Sequence, residues 1–398
     1  MRIAVCGAGA SGIAAAISAA RAGALVVLFE HTDSPGRKIL ITGNGKCNFT
    51  NHEINTSKYH STDDHESFMS GFLSRWGCRE CLDLFDSIGV VYRQKRDGYY
   101  PRSDTAESVR RALLNELARL KVEIRLNTDI RDIDPVKKRV NGENFDAVII
   151  AMGSMVSGRE GSDGSGYGIL RRMGLKVNKV YPALTPLTLK EDLSSITGVR
   201  CEAKLTLLDE EGCTVESSRG ELQPFEKGFS GILAMDISGE CCRILGSGRR
   251  AYVRADLYPE MDGEELLTFL KDRAERFGRQ EPKDALVGMF PKKLINYLIH
   301  PLDTREADYV EALALRIKGL EYELSDEMLK DVKRAQTAAG GLSLDEIDDD
   351  LALKKYKDIY VVGELVDIDG VCGGYNLHFA WGSGYMAGRR AAKKERER

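Results

Sequence analysis

Several absences narrow the field before any motif is read. No window of the chain approaches the roughly 18 consecutive apolar residues that a membrane-spanning helix needs, so no membrane partner is expected. Basic residues are not in excess: 57 Lys and Arg stand against 61 Asp and Glu, a formal net charge of −4. A protein that works on phosphate backbones normally carries the opposite balance, so no nucleic-acid partner is expected. The nine cysteines are odd in number and scattered, which fits reduced cytosolic thiols and not a disulfide framework. Cys78 and Cys81 make one CxxC without a second pair at zinc-ribbon spacing, read as two cysteines on a helix face. The histidines (His31, His52, His60, His65, His300 and His378) form no metal-spaced pair, and no Ser-His-Asp or Cys-His arrangement stands out. Hydrolase and metalloenzyme readings are therefore unsupported, and no metal ligand is assigned. Met1 to Val5 runs straight into a glycine-rich turn with no charged leader before it, and the expected location is cytoplasmic.

What is present is an ordinary globular composition, 42% hydrophobic and 30% charged over 398 residues, enough chain for two or three domains. Arg2–Val5 and Leu25–Phe29 are short apolar runs on either side of the Ala-rich stretch Ala14–Ala22, a strand, helix, strand opening. Ala147–Ala151 and Ile359–Val362 read as two further buried strands, each leading into a glycine, Gly153 and Gly363. Ala380–Ala392 reads as a helix, and the charged tail Lys393–Arg398 as a solvated fray. Between these pieces the texture changes. Short β-type runs such as Lys204–Leu208 fill the stretch from about Pro186 to Leu257, and a helical pattern runs from about Gly263 to Asp331. The expected class is α/β: a Rossmann-like nucleotide-binding domain (1–186) interrupted by a β insert (187–258) and a helical insert (259–331), and resumed over 332–398.

Gly7-Ala8-Gly9-Ala10-Ser11-Gly12 is a GxGxxG placed between a strand and a helix. The first glycine permits a tight turn, the second lets backbone approach a pyrophosphate, and the third lets helix and strand pack closely. The amides of Ala10 and Ser11 then face the phosphates at the positive end of the helix. Glu30 ends the second strand, 18 residues after Gly12, where a carboxylate accepts ribose hydroxyls and repels a 2′-phosphate. FAD and NAD both fit such a pocket, and NADP does not.

Two more glycine-rich segments bear on that choice. Gly36 to Asn51 holds Arg37, Lys38, Asn44, Gly45, Cys47 and Asn48, a loop dense in cationic and amide donors. Gly363 to Leu377 holds Glu364, Asp369, Gly373, Gly374, Tyr375, Asn376 and Leu377. An acid after a strand-ending glycine suits a ribityl chain, and Gly373-Gly374 before a helix offers N–H groups to the O2 and N1 edge of a flavin.

These segments resemble the BaiN/YhiN-like family of FAD-dependent oxidoreductases, flavoproteins with two dinucleotide-binding domains. The resemblance rests on Thr42-Gly43-Asn44-Gly45-Lys46-Cys47-Asn48 and on Gly363-Glu364 through Asn376. Tyr100-Pro101-Arg102-Ser103, Gly164-Ser165-Gly166-Tyr167, Pro182 to Leu187 and Ala338-Ala339-Gly340-Gly341 support it. It implies FAD as cofactor, and an FAD domain carrying a small β-barrel-like insert and a helical insert. Some members are aminoacetone oxidases, and BaiN itself is assigned to bile-acid dehydroxylation. Three positions depart from the family pattern: Gln223-Pro224-Phe225-Glu226-Lys227 lacks its histidine, Cys372 replaces a small or hydroxyl residue, and Ala151-Met152-Gly153 stands for Ala-Thr-Gly.

The cofactor positions expected on these grounds are Gly7, Gly9, Ala10, Ser11, Gly12, Glu30, His31, Arg37, Lys38, Asn44, Gly45, Ile130, Gly153, Gly363, Glu364, Asp369, Gly373, Gly374, Asn376 and Leu377. Cys47, Asn48, Tyr375 and His378 are the catalytic candidates beside the ring. For each a bland alternative stands: Cys47 as packing, Tyr375 as a wall, His378 as a structural histidine. Phe225 and Phe229 are equally readable as a substrate cover or as core. No separate second GxGxxG is present, so NADH or NADPH is expected only as a transient electron donor. The expected activity is hydride transfer between flavin N5 and a small organic molecule. An NAD(P)H-fed reductase is favoured over an amine oxidase that passes electrons to O2 or a flavin-binding sensor. An RNA-modifying role is held down by the charge balance.

Overall fold

The computed structural model describes residues 1–156, 161–277 and 281–393; most of the charged C-terminal tail lies outside them. The chain folds as two compact units, one built from Met1–Tyr181 together with the stretch from Ala335, the other from Pro182–Arg334.

The first unit is organised by a five-stranded parallel sheet, in the order Ile359–Val361, Ala147–Ile150, Arg2–Cys6, Leu25–Phe29, Glu123–Arg125. Its inner strands are continuous apolar runs because both faces are covered, and Ile3, Val5, Leu28, Val148 and Ile150 have almost no exposed surface. The Arg2–Cys6 strand lies in the middle and the chain leaves it toward both sides, which opens a crevice at the carboxyl ends of the strands. Helix Ala10–Arg21 follows that strand. The long helix Tyr375–Ala391 packs against it through small residues: a Cβ built on Gly384 would stand 2.0 Å from the Ser11 carbonyl oxygen, and one on Gly388 would stand 2.2 Å from that of Ala15.

The terminal helix begins at Tyr375, five residues before the Ala380 expected from periodicity. Gly374, with φ 98°, supplies the left-handed entry, so the apparent glycine loop is already the start of a helix. Cys78 and Cys81 fall on the first turn of helix Cys78–Ser87, and all nine cysteines are free thiols.

The second unit contains a six-stranded antiparallel sheet ordered Leu187–Thr188, Gly228–Ser230, Thr214–Phe225, Cys201–Leu208, Tyr252–Asp256, Leu320–Glu323. Its ends meet: Leu189 bridges Leu324, the Lys190 amide donates to the Glu323 carbonyl, and the Ser325 amide donates to that of Thr188. This closes a small barrel and leaves no free edge there. The β and helical stretches read in the sequence are interleaved in it. Helix Ile232–Gly246 lies inside the β stretch, and strand Leu320–Glu323 follows helices Gly263–Phe277, Lys292–Ile299 and Tyr309–Lys318 to complete the barrel. Phe229 is buried against Tyr322, ring centroids 5.3 Å apart, as barrel core. Among the described residues no helix is long and apolar enough to cross a membrane.

Candidate functional site

The glycine turn divides its labour. Gly7, with φ 105°, sits so close to the Ala151–Met152 backbone that a Cβ would lie 2.3 Å from the Ala151 carbonyl oxygen. A Cβ on Gly12 would lie 1.8 Å from the Gly7 oxygen, whereas one on Gly9 would meet nothing within 4 Å. The first and third glycines therefore allow backbone to pack on backbone, and the second faces open space at a helix N-terminus, where a phosphate fits. Ala10 opens the helix, and the buried Ser11 turns its hydroxyl toward the Gly363 backbone.

Glu30 is 8% exposed at the end of its strand. Its Oε2 accepts from the Ala8 amide at 3.0 Å, and Oε1 accepts from the Thr32 amide at 2.9 Å and hydroxyl at 2.7 Å, with His31 Nδ1 at 3.3 Å. A carboxylate has about four acceptor directions, so Glu30 braces the turn and still presents an anionic edge to a ribose.

Around the crevice mouth the two distant glycine-rich segments come together. Lys38 Nζ donates to both Glu364 oxygens, at 2.9 and 2.7 Å. Ser154 and Thr337 hydroxyls donate to the same carboxylate at 3.1 and 2.9 Å, and the Tyr167 phenol donates to the Glu364 carbonyl at 3.0 Å. Burial pushes the Tyr167 phenol far up, which keeps it a neutral donor. Gly153 and Gly363, following adjacent strands, share a left-handed conformation, φ 69° and 68°. The Gly363 amide is held by the Ser383 hydroxyl at 3.0 Å.

Other expected cofactor residues are less directly engaged. Arg37 reaches outward to Asp33 at 3.4 Å, Asn44 is exposed in a left-handed turn next to Gly45, and Ile130 and Leu377 pack on the sheet core. Asp369 is buried, 4.0 Å from His60 Nδ1. Asn376 does not face outward: its Oδ1 accepts from the Gly370 amide at 2.9 Å and its Nδ2 donates to the Gly370 carbonyl at 2.6 Å, an amide clasp that shapes the turn before the helix.

The four catalytic candidates separate in the same way. Cys47 is fully buried, and desolvation pushes its thiol up to about 12, so it is a neutral packing group at neutral pH. His378 is also fully buried. Its Nε2 donates to the Trp76 carbonyl at 3.1 Å and its Nδ1 accepts from the Thr50 hydroxyl at 2.8 Å, which leaves neither nitrogen for a substrate. Desolvation holds the ring down at about 4. The Tyr375 hydroxyl donates to the Glu53 carbonyl at 3.1 Å, so the ring is a wall beside Gly373. Asn48 alone keeps an unsatisfied atom: its Oδ1 is buried without a hydrogen-bond partner among the described residues.

Ser154, Thr337, Ser383 and Asn51 were not legible as site residues. Asn51 Nδ2 donates to the Gly373 carbonyl at 3.0 Å, and only its place in the loop that ends at Asn51 hinted at a role. Asp367, which carries no local mark in the sequence, is fully buried, with Oδ2 accepting from Asn178 Nδ2 at 2.8 Å and the Thr62 amide at 3.2 Å.

The residues present fit FAD. Gly9 leaves room for a pyrophosphate, Glu30 keeps an anionic edge for a ribose, Lys38 is a cation at that mouth, and a helix N-terminus follows Gly374. The HI0933-like protein Rossmann domain family matches residues 1–390. A Clostridium scindens protein named 3-dehydro-bile acid delta(4,6)-reductase is 37% identical over 99% of both chains. Proteins of Escherichia coli and Haemophilus influenzae named ribosomal RNA dihydrouridine synthase are 27% and 26% identical, each over 96% of this chain and 95% and 96% of their own. The chain belongs to the HI0933-like Rossmann-domain family and is an FAD-dependent oxidoreductase.

Proposed function

We propose that this protein is a reductase that adds hydrogen across a carbon–carbon double bond conjugated to a carbonyl in a small, largely apolar molecule, with NADH or NADPH as the electron donor. The full-length likeness to a delta(4,6)-reductase supports the substrate class. The observation that carries the reaction type is the neutrality of the wall: Cys47, Tyr375 and His378 are all buried and all engaged internally or desolvated. Among the described residues, these three candidates offer neither a nucleophile nor a free base to deprotonate an amine, so bond-making falls to the flavin, whose reduced ring supplies a hydride when bound. The chain's own part is to hold the ring, exclude water and keep charge fixed: Glu30 and the glycine turn at one end, Lys38 and Glu364 in the middle, the helix start after Gly374 at the other.

A second reading has a specific observation behind it. Two relatives are named for making dihydrouridine in ribosomal RNA, and saturating a uracil ring is also reduction of a double bond conjugated to a carbonyl. The lower identity and the net charge of −4 weigh against it here.

Anaerobic mixing separates the readings. Bleaching of the visible flavin band by NADH or NADPH, followed by recovery on adding a 3-oxo-4,6-diene bile acid, is the expected result. Recovery only with a uracil-containing ribosomal RNA fragment favours the second reading. Bleaching by aminoacetone and recovery by O2 alone overturns both in favour of an amine oxidase.

A further inference from the structure

The stretch from Tyr92 to Arg102 runs against the charge of the whole chain. It carries four basic residues, Arg93, Lys95, Arg96 and Arg102, and the single acid Asp97, in a protein whose formal net charge is −4. Strands Tyr92–Lys95 and Gly98–Pro101 pair as a hairpin, with Arg93 opposite Tyr100 and Lys95 opposite Gly98. The Arg102 amide continues the ladder by donating to the Val91 carbonyl at 2.8 Å.

Strand alternation sorts the side chains onto two faces. Tyr92 and Tyr99 share one, where their rings meet edge to face and Tyr92 also packs on Phe49. Arg93, Lys95, Tyr100 and Arg102 share the other. Arg96, at the turn, is close enough to Tyr100 for its charge to oppose the effect of burial on the phenol. Asp104 takes Arg93 in an ion pair, whereas Lys95, Arg96 and Arg102 are exposed and have no carboxylate partner among the described residues. The same face adjoins the loop that ends at Asn51: a Cβ built on Gly98 would stand 3.0 Å from the Tyr100 ring and 2.7 Å from Asn48 Nδ2.

Charge and size select the ligand. A nicotinamide donor needs its phosphates held, and the sequence has one GxGxxG, whose Glu30 repels a 2′-phosphate. Side-chain cations are the remaining means. Three cations around one tyrosine ring, on strands about 13 Å long, match a phosphorylated adenosine, with guanidinium groups for phosphate oxygens and a ring face for the base. A carboxylate tail needs one cation and no ring, and an RNA backbone needs a longer basic track than one hairpin. We propose that this hairpin face binds the 2′-phosphoadenosine end of NADPH, with Tyr100 against the adenine and Lys95, Arg96 and Arg102 on the phosphates, which makes NADPH the preferred donor. This rests on the reductase reading and deepens it.

Anaerobic stopped-flow reduction of the holoenzyme by NADPH and by NADH provides the test. The wild-type apparent dissociation constant should be about tenfold lower for NADPH, the size of one charge-assisted contact. In the triple variant Lys95→Gln, Arg96→Gln, Arg102→Gln the NADPH constant should rise by about tenfold and the preference should fall toward unity, with Arg102→Gln alone in between. Adenosine 2′,5′-bisphosphate should compete with NADPH in the wild-type protein and not in the triple variant. A wild-type protein that takes both donors equally overturns the assignment even if no variant folds, as does a preference that the triple variant keeps. A triple variant that loses affinity for a ribosomal RNA fragment while its NADPH constant stays put also overturns it, and moves the hairpin to the second reading. Flavin bleached by dithionite but by neither nucleotide overturns the donor reading itself, and this assignment with it.

Discussion

Lys38 grips both carboxylate oxygens of Glu364 across a sequence separation of 326 residues. The pair ties the loop after the second strand to the turn after the last one, and both side chains are about four-fifths buried. Removing the cation leaves a carboxylate in a poorly solvated place with only the Ser154 and Thr337 hydroxyls to satisfy it. Lys38→Met should therefore lower unfolding stability by about 2 kcal/mol and weaken FAD binding. Glu364→Gln should be milder in stability, because the amide oxygen still accepts from one hydroxyl and the amide NH2 donates to the other. Urea unfolding with and without FAD measures both effects.

His378 makes stability depend on pH in a defined window. Its folded-state value, about 4, lies below the usual 6.5 because burial disfavours the imidazolium. Between those values the unfolded chain binds the extra proton, so stability is complete above about pH 6.5 and is lost as pH falls toward 4, by up to roughly 3 kcal/mol. Unfolding at pH 7 and pH 5 should show this drop in the wild-type protein. In His378→Gln, which is less stable at pH 7, the drop between the two pH values should be clearly smaller.

Thiol reactivity should follow burial. Cys47 is a desolvated thiol with its value pushed up to about 12, whereas Cys213 is exposed. Brief treatment of the native protein with iodoacetamide at pH 8 should alkylate Cys213 and spare Cys47, as read by peptide mass spectrometry. Cys47→Ser should retain most of the flavin reduction rate. A loss of a hundredfold or more with FAD still bound would restore the redox reading of that thiol.

The contact of the terminal helix with the first helix admits no side chain. Gly384→Ala places a methyl 2.0 Å from the Ser11 carbonyl oxygen, so the helices must separate where the phosphate turn begins. An overpacking cost of about 1–3 kcal/mol and a weaker FAD complex should appear together. Gly9→Ala, where a Cβ meets nothing within 4 Å, should leave unfolding stability nearly unchanged while still weakening FAD.

The parallel sheet was legible because its strands are uninterrupted apolar runs and its turn carries glycines at positions that sterics dictate. Arg2–Cys6, Leu25–Phe29, Ala147–Ile150 and Ile359–Val361 fall within a residue of where the sequence puts them. The interleaving of the second unit was not legible, because strand Leu320–Glu323 joins its sheet through partners more than sixty residues away and local pattern says nothing about them. At the site, residue types were readable but directions were not. Asn376 and Asn48 look alike in sequence, yet one is spent on the Gly370 backbone and the other holds an unpaired oxygen. Ser154, Thr337 and Ser383 carry no local mark, since a hydroxyl becomes a site residue only through what the fold brings beside it.

The sheet also sets an order of events during synthesis. Its first three strands to emerge lie side by side, but the edge strand Ile359–Val361 and the helix behind Gly374 follow only after the whole barrel-bearing unit has been made. A ribosome that has translated the glycine turn and Glu30 therefore displays half a cradle, with apolar strand edge exposed, for the time needed to add more than three hundred residues. Flavin capture is therefore expected only once the helix that starts at Tyr375 has been made.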